Sequence, residues 1–527
     1  MRFFNTEGPV RSDRHYHIPP LDRVNLDELL GLVRDERYFV LHAPRQTGKT
    51  SALLALRDRL NAGGEYRCVY ADVEAGQAAR ENVAEAMRVI LYQLESEEQA
   101  TLGADALTDI WPVALERAGP LGALRASLER WCMADPRPLV LLIDEIDTLV
   151  GDTLLSVLRQ LRAGYPHRPG RFPHSVVLCG VRDVRDYRIY STAQDALVLG
   201  GSAFNVKSES LRLGDFTEAE TRALLAQHTA ETGQAFTEEA LEAVRTRSAG
   251  QPWLVNALCR EACFKSETGR DRTRAITADD VLDAQERLIL RRDTHIDDLA
   301  NKLREDRVRR VVEPILAGAS ESAWSTEDVA YVHDLGLVAL DGGTPRIANP
   351  IYAEVVPRHL NHAVQMGLPQ QMAWYVDAEG GLDVAGLIEG FQTFFREHSQ
   401  HWVQRFERYH EAGPQLLLQA YLQRVVNGGG RIEREYALGR GRVDLLILWP
   451  QGGRTRKFVV ECKVLHKDLE RTITEGLAQT RGYLDHCGAE SGHLIVFDRA
   501  PDRTWDEKLF RRETPAGAGR AVTVWGM

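Results

Sequence analysis

The sequence predicts an α/β chain: a doubly wound parallel sheet first, then helices and a short hairpin, then a second, smaller α/β domain. Three observations predict it. Short apolar runs, "YFVLHA" (38–43), "YRCVYADVE" (66–74), "RPLVLLIDEID" (137–147) and "HSVVLCGV" (174–181), alternate with long helical patterns to about residue 210. From Phe216 the pattern turns helical. From Gly413 a helical run, three strand-like runs, a second helical run and a further strand-like run follow, in the order αβββαβ.

Bulk properties narrow the class. A chain of 527 residues is enough for three or four domains at ~100–200 residues each. Hydrophobic content of 44% and charged content of 27% are ordinary for a soluble globular protein. No apolar run approaches the ~20 residues of a membrane helix, and "MRFFNTEGPVRSD" lacks the pattern of a secretory signal, so no membrane association is expected. Seven cysteines without a CxxC, only Cys259 and Cys263 lying one helical turn apart, point to reduced thiols and a cytoplasmic protein. The 16 histidines form no spaced set, so no structural zinc is expected. The net charge of −11 argues against wholesale nucleic-acid binding, but from Gly413 onward 18 basic and 14 acidic residues give +4, leaving −15 on the rest. A mildly basic C-terminal module on an acidic body is compatible with a polyanionic partner.

The first strand runs into "APRQTGKTS" (43–51), which then opens a helix. That is the context a phosphate-binding loop requires, because loop and helix N-terminus together present several backbone N–H groups to an anion. The cofactor-binding set is therefore Arg45, Gln46, Thr47, Gly48, Lys49, Thr50 and Ser51. Lys49 reaches the β- and γ-phosphates of ATP, and the Thr50 hydroxyl binds Mg2+. Ala43 stands where GxxxxGK[ST] has its first glycine, which is acceptable only if that backbone position needs no positive φ. The third strand is almost wholly apolar, as a central parallel strand should be, and ends in Asp144 and Glu145. Parallel sheets bind ligands at these ends. Asp144 is placed to hold the magnesium and Glu145 to activate the attacking water.

These residues resemble the AAA-like P-loop ATPases of the additional-strand, catalytic-glutamate class, in the bacterial and archaeal group with "APRQTGKT"-type loops. "GVRDVRD" (180–186) stands where that group has its sensor segment, which implies Arg182 as a phosphate-sensing arginine, with Arg185 and Arg188 as alternatives. Further on, "FTEAETRALLAQHTAETG" begins with a capping box, Thr217 to Glu220, and "FTEEALEAVRTRSAG" with Thr237 as N-cap and Gly250 as glycine stop. "SAGQPWLVNAL" (248–258) resembles the Gly-x-Pro lid motif of STAND-like ATPases, and "RIANPIYAEVV" the wing-to-helix segment after it. The expected divisions are an ATPase domain (1–210), a helical lid (211–299), a winged helix (300–358), a helical connector (359–412) and a C-terminal domain (413–527). No residue identifies itself as an intersubunit arginine finger; a homo-oligomer is compatible with the family.

In the last domain "VVECKV" (459–464) is an apolar strand with Glu461 and Lys463 on one side of it. Burying an acid and an ammonium costs several kcal/mol unless both find partners. Asp444 opens the preceding strand of "RIEREYALGRGRVDLLILW" (431–449), and a hairpin can bring it beside Glu461. Two carboxylates offer hard oxygens to Mg2+ or Mn2+, with Lys463 to orient water or stabilise phosphorane charge. A structural ion pair is the plain alternative. The pattern, with its flanking helices, resembles the PD-(D/E)XK nuclease superfamily over about residues 413–500. The resemblance implies Asp444, Glu461 and Lys463 as catalytic, Glu435 as a further metal acid with Glu433 as its alternative, and Gln479, accompanied by Tyr483, on the following helix. Val443 stands where many members have proline. Together these imply an ATP-hydrolysing, metal-dependent nuclease acting on nucleic acid, with DNA expected, in a bacterial genome-defence or mobile-element setting. The rival readings are a STAND-like signalling switch that binds nucleic acid without cutting, and a DNA-repair motor.

Overall fold

The structure is a computed structural model that describes the chain except residues 192–194, 292–300, 317–323, 368–374, 378, 405–412, 428–429, 439–440, 466–467, 501 and 518–519. The side chains of Arg185, Arg188, Glu435 and Val443 also lie outside the described residues. The chain forms two units, Met1–Leu288 with Asp334–Gly336, and Ile289–His333 with Leu337–Met527.

The first unit is built on a five-stranded sheet: β1 (Tyr38–His42), β2 (Arg67–Asp72), β3 (Leu139–Asp144), β4 (Ser175–Gly180) and β5 (Lys207–Arg212), in the order β2-β3-β4-β1-β5. Every pairing is parallel. Alternation along each strand divides the core between two faces. Phe39, Leu41, Val140, Leu142 and Val177 pack against α1 (Leu26–Arg34) and α2 (Lys49–Gly63). Val40, Leu141, Ile143 and Leu178 pack against α3 (Val83–Leu102) and α4 (Gly151–Gly164). Burial on both faces is why these strands read as unbroken apolar runs.

β5 is the exception and was not expected from the sequence. "KSESLR" is polar and half exposed, as suits an edge strand paired only with β1. Beyond it lie α5 (Glu218–Thr232), α6 (Glu238–Ser248) and α7 (Pro252–Arg260). Thr217 and Glu220 close a reciprocal capping box, and Thr237 accepts the Ala240 N–H. α6 ends as expected on a left-handed glycine: Ala249, at φ 50°, is the C-cap, and Gly250 follows at φ 79°. The glycine answers a second need, because a Cβ on Gly250 would stand 2.2 Å from the Phe216 carbonyl oxygen. All seven cysteines are free, and Cys259 and Cys263 are buried.

In the second unit the helices Asp306–Leu316 and Thr326–Asp334 precede a hairpin of β6 (Val338–Asp341) and β7 (Thr344–Ile347), and the helix Pro350–Gly367 follows it. The main sheet is mixed and six-stranded: β8 (Arg431–Leu438), β9 (Gly441–Gln451), β10 (Arg454–Leu465), β11 (Ser491–Asp498), β12 (Phe510–Gly517) and β13 (Arg520–Gly526), in the order β8-β9-β10-β11-β13-β12. β8, β9 and β10 are antiparallel, and β10, β11 and β13 are parallel. The last two strands extend the sheet beyond the αβββαβ pattern read from the sequence.

Among the helices that pack on this sheet are α8 (Val384–Gln404), α9 (Gly413–Asn427) and α10 (Leu469–Cys487). α10 packs through Ile473 and Leu484 on Leu446, Val459, Leu494 and Val496. The opposite face carries Phe497, which meets Phe395 of α8; Phe391 of α8 in turn meets Tyr421 of α9. The Gln392 carboxamide donates to the Gly526 carbonyl at 2.7 Å. Part of the segment expected as a connector thus packs on this sheet through α8.

Candidate functional site

The phosphate loop follows β1 and turns into α2 at Gly48, which has φ 97°. Gln46, at φ 58°, is also left-handed; Ala43 is not among the residues with positive φ. Alanine therefore fits the first loop position, where it is buried and donates its N–H to the Gly180 carbonyl at 3.3 Å. The buried Lys49 ammonium bends back over the loop and donates to the carbonyls of Ala43 and Pro44 at 3.0 and 3.1 Å. Thr47 is buried, its hydroxyl bonded to the Pro44 carbonyl at 2.8 Å. Arg45 and Gln46 are exposed at the loop's tip. The Ser51 hydroxyl accepts the Val10 N–H at 3.0 Å, so this side chain of the expected set is engaged by the N-terminal segment.

Asp144 is fully buried at the end of β3. One carboxylate oxygen accepts from the Thr50 hydroxyl at 2.7 Å and the Tyr70 phenol at 3.1 Å; the other accepts the Glu145 N–H at 3.0 Å. The sheet thus brings together the hydroxyl and the acid that sequence reasoning assigned to one magnesium ion, and both are hard oxygen donors that suit it. Glu145 sits in the left-handed region at φ 55°, a conformation that costs of order 1–3 kcal/mol for a residue other than glycine. The Thr148 hydroxyl and N–H both bond to its carbonyl, at 2.6 and 3.0 Å, and hold the turn. Burial pushes the Glu145 pKa up to about 7; Lys49 pulls it down, and Asp144 and Asp147 push it up again. A carboxyl in that range is suited to taking a proton near neutral pH.

Arg182, the expected sensor arginine, follows β4. The Arg182 guanidinium lies 5.1 Å from the centre of the Tyr187 ring, whose hydroxyl donates to the Arg182 carbonyl at 3.2 Å.

A second acidic site lies in the C-terminal sheet. Leu445 pairs with Val460, so Asp444 and Glu461 fall next to each other on β9 and β10. The Asp444 carboxylate accepts the Cys462 N–H at 2.7 Å, and the Asp444 N–H lies 3.4 Å from the Glu461 carboxylate. Lys463, two residues along the same face, holds the other Glu461 oxygen at 2.9 Å. Burial pushes Glu461 up to about 8, with Asp444 adding to the rise and Lys463 opposing it. Burial likewise raises Asp444. Burial works against the Lys463 ammonium, but Glu461 and Asp444 outweigh it and hold its pKa above the usual lysine value.

The further metal acid was expected at Glu435, with Glu433 as its alternative of the same strand parity. Glu433 pairs with the core residue Leu446, whereas position 435, between the pairs Arg434–Leu445 and Tyr436–Val443, falls opposite Asp444. The Glu435 side chain lies outside the described residues. Gln479 is on the exposed side of α10, outside the helix face formed by Ile473, Gly476, Thr480 and Leu484, and is not drawn into the cluster among the described residues. Among those residues no group of three or more His, Cys, Asp or Glu is gathered as for a metal.

Arg23 belongs to none of the motifs read from the sequence. Its guanidinium donates to the carbonyls of Thr47 at 2.5 Å and Gly214 at 2.6 Å. A lone arginine outside any motif, bonding to carbonyls 24 and 191 residues away, leaves no local signal.

Residues 33–187 match the family described as an AAA domain. The chain carries a P-loop ATPase domain with an α/β fold. Among solved structures it is similar to a Walker-type ATPase of Pyrococcus abyssi, with a TM-score of 0.44 and 15% identity over 67% of this chain and 99% of that one. It is also similar to the RuvB Holliday junction branch migration motor of Thermotoga maritima, with a TM-score of 0.33 and 14% identity over 64% and 98%. Cdc6p of Pyrobaculum aerophilum gives a TM-score of 0.35 and 13% identity over 79% and 96%. No curated protein matches the sequence. Among the described residues no helix is long and apolar enough to cross a membrane.

Proposed function

We propose that this chain is an ATP-hydrolysing, metal-dependent nuclease in which the ATPase domain governs cleavage of nucleic acid, DNA being the expected substrate. The observation that carries the nuclease half is the juxtaposition of Asp444, Glu461 and Lys463 on one face of adjacent strands, with position 435 in the same cross-strand row. Asp444 and Glu461, with Glu435, would hold Mg2+ or Mn2+, which when bound neutralises phosphate charge and lowers the pKa of a water. Lys463 orients Glu461 and offers a cation to the charge that develops on phosphorus. In the first unit Thr50 and Asp144 would hold the Mg2+ that accompanies ATP, Lys49 moves from the loop carbonyls to the phosphates, and Glu145 accepts the proton of the attacking water. The rising charge of the C-terminal region, +4 against −15 elsewhere, is in keeping with a polyanionic substrate there.

Incubation of the purified protein with plasmid, and with single-stranded, branched and RNA substrates, tests this reading. Mg2+ or Mn2+ is supplied or chelated, with and without ATP. Metal-dependent nicking or cutting is expected; retarded migration without cutting under every condition would instead support a binding switch.

The buried carboxylates make a further expectation for the metal-free protein. Glu461 has its ordinary pKa of 4.5 when unfolded and about 8 when folded, so the folded state takes up its proton more readily. The stability this contributes is fully present below about pH 4.5 and is lost as pH rises through about 8. In EDTA the C-terminal unit should therefore melt at a lower temperature at pH 8.5 than at pH 6.5. Saturating Mg2+ or Mn2+ should reduce that difference, since a metal binds the ionised form. Equal melting at the two pH values in EDTA, unchanged by metal, would show that these acids are not held as described.

A further inference from the structure

Arg23 ends the short turn Pro20–Arg23 ahead of α1 and belongs to no recognised motif. Its side chain is half-buried, and its planar head meets three partners. One Nη donates to the Thr47 carbonyl in the phosphate loop, and the other to the Gly214 carbonyl after β5. The guanidinium carbon lies 4.6 Å from the centre of the Phe216 ring. Gly48 makes room for it, because a Cβ there would stand 2.8 Å from Nη1. Its Nε is buried without a hydrogen-bond partner, and no carboxylate pairs with it among the described residues. Glu220 and Asp215 act on the charge only at a distance, and burial pushes its pKa down from the ordinary arginine value.

A cation in this position has a consequence for the phosphate loop. Thr47 and Gly48 share one peptide unit. Arg23 holds the carbonyl end by a charge-assisted bond, roughly twice as strong as a neutral one. The N–H end belongs to Gly48, at the N-terminus of α2, where a phosphate-binding loop offers its amides. Hydrogen bonds at the two ends of one peptide polarise it in the same sense, by about 10–30% per bond. The charge itself, held in no salt bridge among the described residues and met by Glu220 and Asp215 only at a distance, also adds to the positive potential of Lys49 and the α2 dipole behind the same loop. The same side chain fixes Gly214 and Phe216, and the Phe216 N–H donates to the Gly250 carbonyl at 2.8 Å, directly before α7.

We propose that Arg23 is a positioning residue for the polyphosphate of the bound nucleotide, acting through the Thr47–Gly48 peptide, and that it ties the phosphate loop to the Phe216–Gly250 junction. The inference rests on the P-loop ATPase reading and goes beyond it. The test measures affinities of the full chain for ATP, ADP, AMP and adenosine, with inorganic tripolyphosphate as a competitor, for parent, Arg23→Met and Arg23→Lys, alongside melting curves. Arg23→Met should bind ATP and tripolyphosphate about tenfold more weakly, the loss expected for one charge-assisted contact, and leave adenosine within about twofold. Arg23→Lys, which keeps the charge and one donor, should recover most of the ATP affinity. A packing role would instead lower ATP and adenosine affinity together with the melting temperature, and lysine would rescue neither. That pattern, or ATP affinity unchanged in Arg23→Met, overturns the inference alone. A parent chain that binds no ATP would sink the ATPase reading as well.

Discussion

Glu145→Gln is expected to bind ATP and hydrolyse it about 10²–10⁴-fold more slowly than the parent, the usual contribution of a positioned general base. The substitution keeps size, backbone turn and the Asp144–Thr50 pair, but a carboxamide cannot accept the proton. Glu145 is suited to the role because burial keeps its pKa near 7 and the Thr148 bonds fix its strained backbone at the end of β3. Lys49→Ala should differ in kind, losing nucleotide affinity as well as turnover, because the cation at the β- and γ-phosphates is gone. Single-turnover hydrolysis with a separate binding measurement distinguishes the two. Parent-like turnover in Glu145→Gln would remove Glu145 from the chemistry.

The second large effect belongs to the other unit. Lys463→Ala should reduce metal-dependent cleavage by at least about 10²-fold, on the scale of removing one group that stabilises transition-state charge. The alanine also leaves Glu461, almost fully buried, without its 2.9 Å partner. That carboxyl is then harder to ionise, and so a poorer metal ligand. ATP turnover should persist, because Lys49, Thr50, Asp144 and Glu145 all lie in the first unit. Loss of both activities together would point to unfolding, which melting curves would reveal, and undiminished cleavage would mean the Glu461–Lys463 pair is structural only.

The phosphate loop and the acid strand were legible in the sequence because their chemistry is local. A strand, a glycine-bearing turn and a helix N-terminus lie within a few residues, and so do an apolar run and its terminal acids. The Thr217–Glu220 cap was legible for the same reason. What the sequence hid depends on long-range pairing. β5 is polar because it is an edge, and only its pairing with β1, some 170 residues earlier, makes it a strand. β12 and β13 join the sheet through β11 and carry no signal of their own that marks them as its continuation. Glu433 and Glu435 share the same parity, and the register that sets position 435 opposite Asp444 is not legible in the sequence. Arg23 acts on backbone carbonyls, which every residue has, so no residue type marks its partners.

We propose that one chain carries two chemistries and that the first governs the second. Hydrolysis at the phosphate loop can affect cleavage only through a change of state that both sites sense. The most direct measurement is the cleavage rate on a fixed panel of DNA substrates for parent, Lys49→Ala and Lys463→Ala, each with and without ATP in Mg2+. Parent cleavage should depend on ATP, Lys49→Ala should cut at a different rate or choose different substrates, and Lys463→Ala should not cut. Identical cleavage by parent and Lys49→Ala under every condition would contradict the coupling, and absence of cleavage by the parent in every metal and substrate would contradict the nuclease itself.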